Sequence, residues 1–486
     1  MRQLAWLILC FAPALAAQEP DELDRVVRKI LDVYRIASEQ NADPVDNGKV
    51  FYEGIIPGLL RRLDPHSIFL DPDQFAQLKR MQRSESKGFG SVVNILPGRV
   101  QVLQTLPGTP SARAGISAGD EILAINNIAL GMLNSDQLVQ LLGEARQSTA
   151  LVHVRKPGNA RPIAFTLTPE EMQSSSVERA FLLKPGYGYI RVASFDENTA
   201  KDIRAGIEKI GGAALQGLVL DLRNNPGGVV ASAIDTSALF LKPGQLILSA
   251  RGRRMNGEEK VPADATPYAF RIAVLVNAKT ASAAEIVSGA LQDHDRATIL
   301  GEATFGKGLV QNVLPLSQST GLALTMAFYY TPSGRSIQKP LQDMQLTGAT
   351  TAARQEFKTD TGRAVRGGGG IEPDRSVDVP RYKQLELVLE QSGVFGAFAT
   401  EYLNTERLTV KRGWQLPPVA LDKFRAWLSG NRIQPSLSEW LGSADWIQFR
   451  LRQEIVNQAL GVEEGDMVEA EREPWIKAAL ESIQAP

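Results

Sequence analysis

The stretch IAVLVNAKTASAAEIVSGAL, residues 272–291, places a short apolar run directly before a row of small residues and a second apolar segment. The run Ile272–Val276 has the length and the β-branched content of a buried strand, and the second segment is typical of an apolar helix. Two further strands are predicted at Gly188–Phe195 and Leu218–Leu222, with a helix at Asn198–Ile210 between them. Because strand and helix alternate, the sequence predicts an α/β domain.

The regions on either side of this domain have different patterns. At 486 residues the chain is too long for one ordinary core, so several domains are expected. Apolar residues recur at three- and four-residue spacing from Asp21 to Ser38, which indicates an amphipathic helix, and short β-rich runs follow later. The predicted fold class is a multidomain α/β (α+β) protein, with a helical N-terminal region at 18–84, a β-rich module at 85–170, an α/β core at 171–380 and a helical C-terminal region at 381–486.

The first residues, MRQLAWLILCFAPALAA, have the features of an export signal. Arg2 precedes an apolar stretch that is too short to span a bilayer, and small residues follow where cleavage can occur. We therefore expect a signal peptide at residues 1–17 and an exported, periplasmic or extracellular protein. Cys10 is the only cysteine, and Leu9 before it does not fit a lipoprotein signal, so the mature chain is expected to have no thiol.

Charge and histidine content argue against two classes of function. The 53 Lys and Arg residues nearly cancel the 54 Asp and Glu residues, so no global field attracts nucleic acid. The three histidines, His66, His153 and His294, do not have the spacing of a zinc site, and no cofactor is predicted. Only His294 is near the candidate nucleophile in sequence, and a solvent-facing position on a helix is the favoured interpretation of that residue.

Two serine motifs resemble catalytic patterns but lack the required context. Gly115-Ile-Ser-Ala-Gly119 matches the nucleophile elbow, yet that elbow follows a strand and opens a helix, whereas here the order is reversed. Ser117 is therefore interpreted as a turn residue. Ser84-Glu-Ser-Lys87 matches the SxxK motif of penicillin-binding enzymes, but no SDN or KTG motif accompanies it, and it is interpreted as a charged linker.

Ser282 has a more informative position, because it is predicted to lie at the N-terminus of the helix that follows Ile272–Val276. Unpaired amides at a helix N-terminus can bind an oxyanion that forms on a scissile carbonyl. A serine that merely caps the helix is the simpler alternative. Lys307 lies between two glycines, Gly306 and Gly308, and it can act as a general base only if its surroundings lower its pKa. A Ser-Lys dyad is a known variant of the Ser-His pair.

Five ordered motifs resemble those of the carboxyl-terminal processing (tail-specific) serine peptidases, over roughly residues 50–380. They are Leu63-Asp-Pro-His-Ser67, Leu220-Asp-Leu-Arg-Asn-Asn-Pro-Gly-Gly228, Thr280-Ala-Ser-Ala-Ala-Glu285, Gly301-Glu-Ala-Thr-Phe-Gly-Lys-Gly-Leu-Val-Gln311 and Thr331-Pro-Ser-Gly-Arg-Ser-Ile337. The resemblance implies that Ser282 is the nucleophile, Lys307 its base and Gln311 the residue that orients the lysine. It also implies an oxyanion hole made by the amides of Gly228 and Ala283. Ala284 departs from the family pattern, in which serine is frequent.

The β-rich module resembles the PDZ domain of the same family. Gly88-Phe89-Gly90 matches the carboxylate-binding loop, and the segment from Leu106 to Leu123 matches the helix and strand after it. Loop amides of this kind hold the terminal carboxylate of a peptide while its backbone adds a strand to the sheet. The resemblance therefore implies an endopeptidase that cleaves exported or unfolded proteins near their free C-termini, with a module that moves on its linkers.

Two other functions are weighed against this one. A catalytically silent PDZ scaffold would lack the dyad residues, which are present, and a transpeptidase would need the missing SDN and KTG motifs.

Five of the six tryptophans lie after residue 381, and this aromatic density predicts a homo-oligomer formed through the C-terminal region. The sequence leaves open whether a partner protein activates the enzyme.

Overall fold

The computed structural model describes residues 22–83, 85–159, 161–173, 175–340, 355–378 and 381–484. The predicted signal peptide at 1–17 lies outside the described residues. The chain divides into two compact units, Met1–Phe69 and Leu70–Pro486. The four domain boundaries given above stay predictions.

The first unit is helical, as the sequence pattern predicts. It contains α1 (Glu22–Gln40), a π-helical segment (Lys49–Ile55) and α2 (Ile56–Arg61). The strand β1 (Ile68–Leu70) includes the last two residues of this unit and the first residue of the next. The turn after α2 is held by Asp64, whose carboxylate accepts hydrogen bonds from the His66 and Ser67 amides at 2.8 Å each. These two hydrogen bonds close a turn directly after α2.

The second unit begins with a helix and a β-rich module. The elements are α3 (Pro72–Gln82), β2 (Glu85–Gly88), β3 (Ser91–Leu96), β4 (Arg99–Thr105), α4 (Pro110–Arg113), β5 (Glu121–Ile125), β6 (Ile128–Ala129), α5 (Ser135–Ala145), β7 (Ala150–Arg155), β8 (Ile163–Leu167) and β9 (Glu170–Gln173). The main sheet has the antiparallel order β3-β4-β5-β7-β8, and β2 pairs with β9. Residues 85–88 therefore form a strand, and their interpretation as a linker is wrong.

The α/β core contains two large sheets and a two-stranded sheet. Its elements are β10 (Val177–Lys184), β11 (Tyr187–Val192), α6 (Thr199–Lys209), β12 (Gly217–Asp221), α7 (Val230–Ala238), β13 (Leu246–Arg251), β14 (Asn256–Lys260), β15 (Arg271–Val276), α8 (Ala283–Asp293), β16 (Ala297–Gly301), β17 (Leu309–Pro315), β18 (Gly321–Tyr330), β19 (Glu356–Lys358), β20 (Ala364–Arg366) and β21 (Arg375–Ser376). The first sheet has the order β10-β11-β12-β15-β16-β21, parallel except for β10. The second contains the antiparallel strands β14, β13, β18 and β17. The strands β19 and β20 form the two-stranded sheet.

Burial explains the continuous apolar runs that the sequence shows in β12 and β15. Every residue of β12 is buried, as expected for a parallel strand with both faces covered. Leu218 and Leu220 pack in the cluster that contains α8, whereas Val219 packs on the opposite face. The parallel strands β12, β15 and β16 therefore have their C-terminal ends at the same edge of the covered sheet. The loops that follow these three strands form the candidate site.

The C-terminal region is helical, as predicted. Its helices are α9 (Gln384–Gln391), α10 (Val394–Glu406), α11 (Pro418–Gly430), α12 (Leu437–Leu460), α13 (Val462–Ala470) and α14 (Pro474–Gln484). Four of its tryptophans pack in a core that these helices form themselves, namely Trp414, Trp427, Trp440 and Trp446. Trp475 on α14 instead packs against the six-stranded sheet. All five tryptophans therefore pack within the chain, and a homo-oligomer formed through the C-terminal region stays a prediction.

The C-terminal helices also contact the β-rich module. The Gln101 side chain on β4 is buried and donates to Thr400 Oγ1 on α10 at 3.2 Å. The Gln104 side chain accepts a hydrogen bond from the Val462 amide at 3.3 Å. The module therefore contacts the C-terminal helices through β4 as well as being joined to its neighbours by linkers. Motion of the module on its linkers would have to break these hydrogen bonds.

Candidate active site

Ser282 lies in the turn that joins β15 to α8, at the edge of the sheet. Its backbone has φ 54° and ψ −116°, a conformation that is strained for any residue with a side chain. Thr280 stabilises the turn, because its hydroxyl donates to the Leu222 carbonyl at 2.8 Å and accepts from the Asn277 amide at 2.9 Å. A strained serine between a strand and a helix is the geometry that exposes a nucleophile.

The hydrogen bonds at the start of α8 use the Ser282 backbone. Its amide donates to Glu285 Oε2 at 2.8 Å, and its carbonyl accepts from the amides of Glu285 and Ile286 at 2.8 and 3.1 Å. Ser282 and Glu285 therefore form a capping box at the start of α8. Ser282 thus caps α8 through its backbone and its capping box with Glu285, and its role as nucleophile stays a prediction.

The loop after β12 runs directly against this turn. A methyl group added at Gly227 would lie 2.8 Å from both the Ala283 nitrogen and the Ser282 Cβ. Gly228 has φ 142° and sits so close to Phe195 that only glycine fits there. Among the hydrogen bonds of the described residues, none has the Gly228 or the Ala283 amide as donor. Two amides are thus free to bind an anion beside Ser282.

Glu285 connects the nucleophile turn to the loop that carries Lys307. Its fully buried carboxylate accepts the amides of Ser282 and Lys307 on Oε2, at 2.8 and 2.9 Å. It accepts the Thr304 hydroxyl and the Gly306 amide on Oε1, at 2.5 and 2.7 Å. Burial raises the pKa of Glu285, and the hydrogen bonds act in the opposite direction. The backbones of Ser282 and Lys307 are therefore bound to the same oxygen atom.

Lys307 reaches the site from the loop between β16 and β17. Its Nζ donates to Gln311 Oε1 at 2.6 Å, and Gln311 lies on β17. Gly306 has φ 87° and packs against Lys339, whose amine donates to the Thr304 carbonyl at 2.8 Å. The structure therefore brings together the backbones of Ser282 and Lys307 and pairs the lysine amine with Gln311.

Two residues of this site have no role in the sequence-based prediction. One is Glu285, and the other is Tyr329 on β18, which is buried and donates to the Ser282 carbonyl at 3.3 Å. Burial, together with the charge of Glu285, raises the pKa of Tyr329 well above its ordinary value. The sequence shows a glutamate in a largely apolar helix but not whether it is buried, and the strand position of Tyr329 carries no signal of its own.

The alternative residues lie in other surroundings. His294 Nδ1 and Nε2 are 2.7 Å from Asp360 Oδ2 and from the Leu246 carbonyl oxygen. Its side chain is only 8% exposed, so the expected solvent-facing position is wrong. His153 lies on β7, and Ser117 lies in a turn where its amide donates to Asp120. Ser84 lies outside the described residues.

A groove opens on the β-rich module beside the Gly88-Phe89-Gly90 loop. Gly90 has φ 81°, and the Phe89 carbonyl accepts the Ser111 amide at 2.9 Å. The groove runs between Val93 on β3 and Leu142 on α5, and β3 is at one end of the sheet. Its apolar floor is formed by Ile116, Ile122, Ile125, Val152, Leu167 and Met172. An unpaired strand edge beside an apolar pocket can bind an extended peptide.

Comparison with known proteins identifies matches to both regions. The model for peptidase family S41 matches residues 186–346, and a PDZ domain model matches residues 101–156. The chain is 34% identical over 342 residues to a carboxy-terminal-processing protease of Bartonella bacilliformis, which covers 68% of this chain and 77% of that protein. A carboxyl-terminal-processing protease of Synechocystis sp. is 33% identical, over 61% of this chain and 70% of that protein.

Solved structures match as well. The photosystem II D1 C-terminal processing protease is 29% identical with a TM-score of 0.40, over 72% of this chain and 86% of that one. No helix within the described ranges is long and apolar enough to cross a membrane.

Proposed function

Because the chain belongs to peptidase family S41, among the carboxyl-terminal processing proteases, and is a serine-type peptidase with a PDZ domain, we propose that it cleaves exported or unfolded proteins near their C-termini with a catalytic dyad of Ser282 and Lys307. The observation that carries the proposal is Glu285 Oε2, which binds the amides of both residues and so holds nucleophile and base loops together. Membership in a peptidase family leaves no support for a silent scaffold.

In the proposed reaction, the neutral Lys307 amine accepts the proton of the Ser282 hydroxyl while Oγ attacks the scissile carbonyl carbon. The carbonyl electron pair moves to oxygen, and collapse of this intermediate breaks the C–N bond. The lysine ammonium returns the proton to the leaving amine, and an acyl ester remains on Ser282. Water, deprotonated by Lys307, then attacks the ester carbonyl. The lysine ammonium returns this proton to Ser282 Oγ as the C–O bond of the ester breaks, which releases the new C-terminus and the free enzyme. Gln311 orients the amine through the bond at 2.6 Å.

The oxyanion is proposed to bind the amides of Gly228 and Ala283. Support comes from the contact between Gly227 and both Ser282 and Ala283, and from the two amides, which donate no hydrogen bond among the described residues. Preorganised amides act on charge that develops only in the transition state, and one such donor contributes about 10²–10³ in kcat.

The PDZ domain is proposed to bind the free C-terminus of the substrate. The carboxylate would bind the loop amides at Gly88-Phe89-Gly90, the backbone would add a strand to β3, and the last side chain would enter the apolar groove. The next stretch of substrate then reaches Ser282 at a high effective concentration. Export of the protein, through a leader at residues 1–17, belongs to the same proposal.

The test is cleavage of an unfolded protein with a free apolar C-terminus, followed by mass spectrometry of the products. Ser282→Ala and Lys307→Arg should abolish cleavage without a change in Tm, because a guanidinium stays protonated and cannot serve as a base. Lys201→Arg, an exposed change on α6, is the matched control and should cleave like wild type. Cleavage by Ser282→Ala at the wild-type rate, or substantial turnover by Lys307→Arg, would remove the dyad from the mechanism.

A further inference from the structure

The start of α14 lies at the edge of the sheet where the catalytic loops begin. Residues of this helix cover the face of the six-stranded sheet opposite α8, and they are Trp475, Ile476, Ala479 and Ile483. They pack against Val219, Ala273 and Leu275, which alternate along β12 and β15 with the residues that face α8. The C-terminal end of the chain is therefore part of the α/β core.

Glu473, just before α14, is hydrogen-bonded to Arg223, the second residue of the oxyanion loop that follows β12. Arg223 Nη1 donates to Glu473 Oε1 at 2.8 Å, and Arg223 Nη2 donates to Asp221 Oδ2 at 2.6 Å. Burial disfavours the charged guanidinium, but the Asp221 and Glu473 carboxylates outweigh this effect and raise the pKa of Arg223. Glu473 Oε2 also accepts the Ile476 amide at 2.7 Å, which fixes the carboxylate on the helix. Arg223 is thus held on both sides by buried or nearly buried charge.

Trp475 contacts the beginnings of both catalytic loops. The Arg223 guanidinium lies over its ring, 5.2 Å from the centroid. On the other side, a methyl group added at Gly301 would lie 2.2 Å from Trp475 Cζ3, so the indole packs on the glycine itself. Gly301 is the last residue of β16 and opens the loop that leads to Lys307. The Trp475 side chain therefore contacts residues at the start of both loops, the one that carries Gly228 and the one that carries Lys307.

We propose that Glu473 and Trp475 are positioning residues for the peptidase reaction. They act through Arg223 and Gly301 and set the relative placement of the oxyanion loop and the lysine loop. Neither touches the reacting atoms. The inference rests on the proposed function, because it needs Gly228 and Lys307 in their catalytic roles. It assigns part of the catalytic geometry to the C-terminal region, outside residues 186–346 that match the S41 model.

The effect expected is on kcat rather than on substrate binding. Neither residue lines the groove beside Gly88-Phe89-Gly90, so tail binding and KM should change less than about twofold. Displacement of catalytic groups by about 1 Å can cost about 10²-fold in rate. Glu473→Gln keeps an acceptor for the helix but loses the charge that binds Arg223, and we expect kcat to fall about tenfold. Trp475→Ala should cost more, and Trp475→Phe should recover most of the loss because it keeps a ring over Arg223.

The experiment measures kcat and KM of the full chain on a fluorogenic peptide with a free apolar C-terminus. The affinity for a peptide boronate, which forms a tetrahedral adduct with a serine nucleophile, is measured in parallel. Transition-state analogues report the geometry that substrates do not, so boronate affinity should fall with kcat while KM stays unchanged. Glu471→Gln is the matched control, because Glu471 is two residues away and pairs with Arg452 rather than with a catalytic loop.

The outcomes separate this inference from the proposed function. Wild-type cleavage that Ser282→Ala abolishes establishes the dyad independently of α14. If Glu473→Gln then keeps wild-type kcat and boronate affinity, the positioning inference is refuted. It is also refuted if Glu473→Gln and Glu471→Gln lose equal activity, or if lower rates are fully accounted for by a smaller folded fraction. Trp475→Ala is interpreted only if it folds, and it should then have a lower kcat and a lower boronate affinity than Trp475→Phe. Glu473→Gln decides the question where Trp475→Ala does not fold.

Discussion

Gly227 provides the sharpest test of how the oxyanion loop meets the nucleophile. Replacing it with alanine adds one methyl group, 2.7 Å from the Ala281 carbonyl oxygen and 2.8 Å from both the Ala283 nitrogen and the Ser282 Cβ. All three separations are shorter than carbon atoms tolerate, and two of the three neighbours are backbone atoms. The loop or the nucleophile turn must therefore move by several tenths of an ångström.

The loss of unfolding free energy expected for Gly227→Ala has two parts, backbone strain and steric overlap. Gly227 has φ 94°, and a residue with a side chain in this region loses roughly 1–2 kcal/mol. Overpacking of a closely packed site adds typically about 1–3 kcal/mol, so the free energy of unfolding should fall by about 2–5 kcal/mol. The displaced atoms include the proposed oxyanion donors, and loss of one such donor costs about 10²–10³ in kcat. Activity should therefore fall by at least about a hundredfold.

Gly244→Ala separates the two contributions. Gly244 has φ 81°, and no atom lies within 4 Å of an added methyl group, so the substitution introduces the strain without the contact. Urea unfolding and peptide hydrolysis are measured for both variants. We expect Gly244→Ala to lose about 1–2 kcal/mol of stability and no kcat. Wild-type kcat in folded Gly227→Ala, or equal activity losses in the two variants, would refute the proposed arrangement of the loop.

Three further predictions concern other parts of the site. Gln311→Ala should lower kcat about tenfold without abolishing it, since the variant loses an orienting hydrogen bond but keeps the base; complete inactivity in steady-state assays would contradict this role. A substrate with an amidated C-terminus should be cleaved more slowly than its free acid, and Gly90→Ala, whose methyl group would lie 2.2 Å from Thr109, should shrink that difference; equal wild-type rates would exclude tail recognition. Because burial raises the pKa of Glu285, its favourable contribution to stability is complete below the ordinary value of 4.5 and is lost as pH rises through the folded pKa. The unfolding free energy of wild type, relative to Glu285→Gln, should therefore decrease as pH rises above 4.5 in urea titrations, and an increase would contradict the assigned direction.

The elements that sequence predicts best are those in which local pattern and burial agree. β15 begins one residue before the predicted Ile272, and β12 begins one residue before the predicted Leu218. These strands are buried on both faces, so neighbouring residues carry the signal. The strand β14 is fully exposed and polar, and nothing in its sequence indicates a strand. It forms because β13 offers it an edge, which is a tertiary effect.

The site shows the same division. Ser282 and Lys307 stand in short motifs whose residue types are tied to chemistry, and the family resemblance identifies them. Their backbone amides both donate hydrogen bonds to Glu285. From the sequence alone, Glu285 is only a charged residue in a largely apolar helix. Whether such a residue is exposed or buried depends on what covers the helix. All residues of α8 are buried, and only the fold supplies that information.

The C-terminal region demonstrates how the same limit affects experimental design. Its tryptophan content correctly indicates buried aromatic surface, but the number of tryptophans cannot distinguish a core within the chain from an interface between chains. The helix α14 lies on the six-stranded sheet, and Trp475 packs on Gly301. Truncation at residue 381 would therefore uncover an apolar sheet face and free Arg223 from Glu473. Loss of assembly or activity in such a truncation would follow from damage to the core, so self-association has to be tested with substitutions of exposed residues in the intact chain.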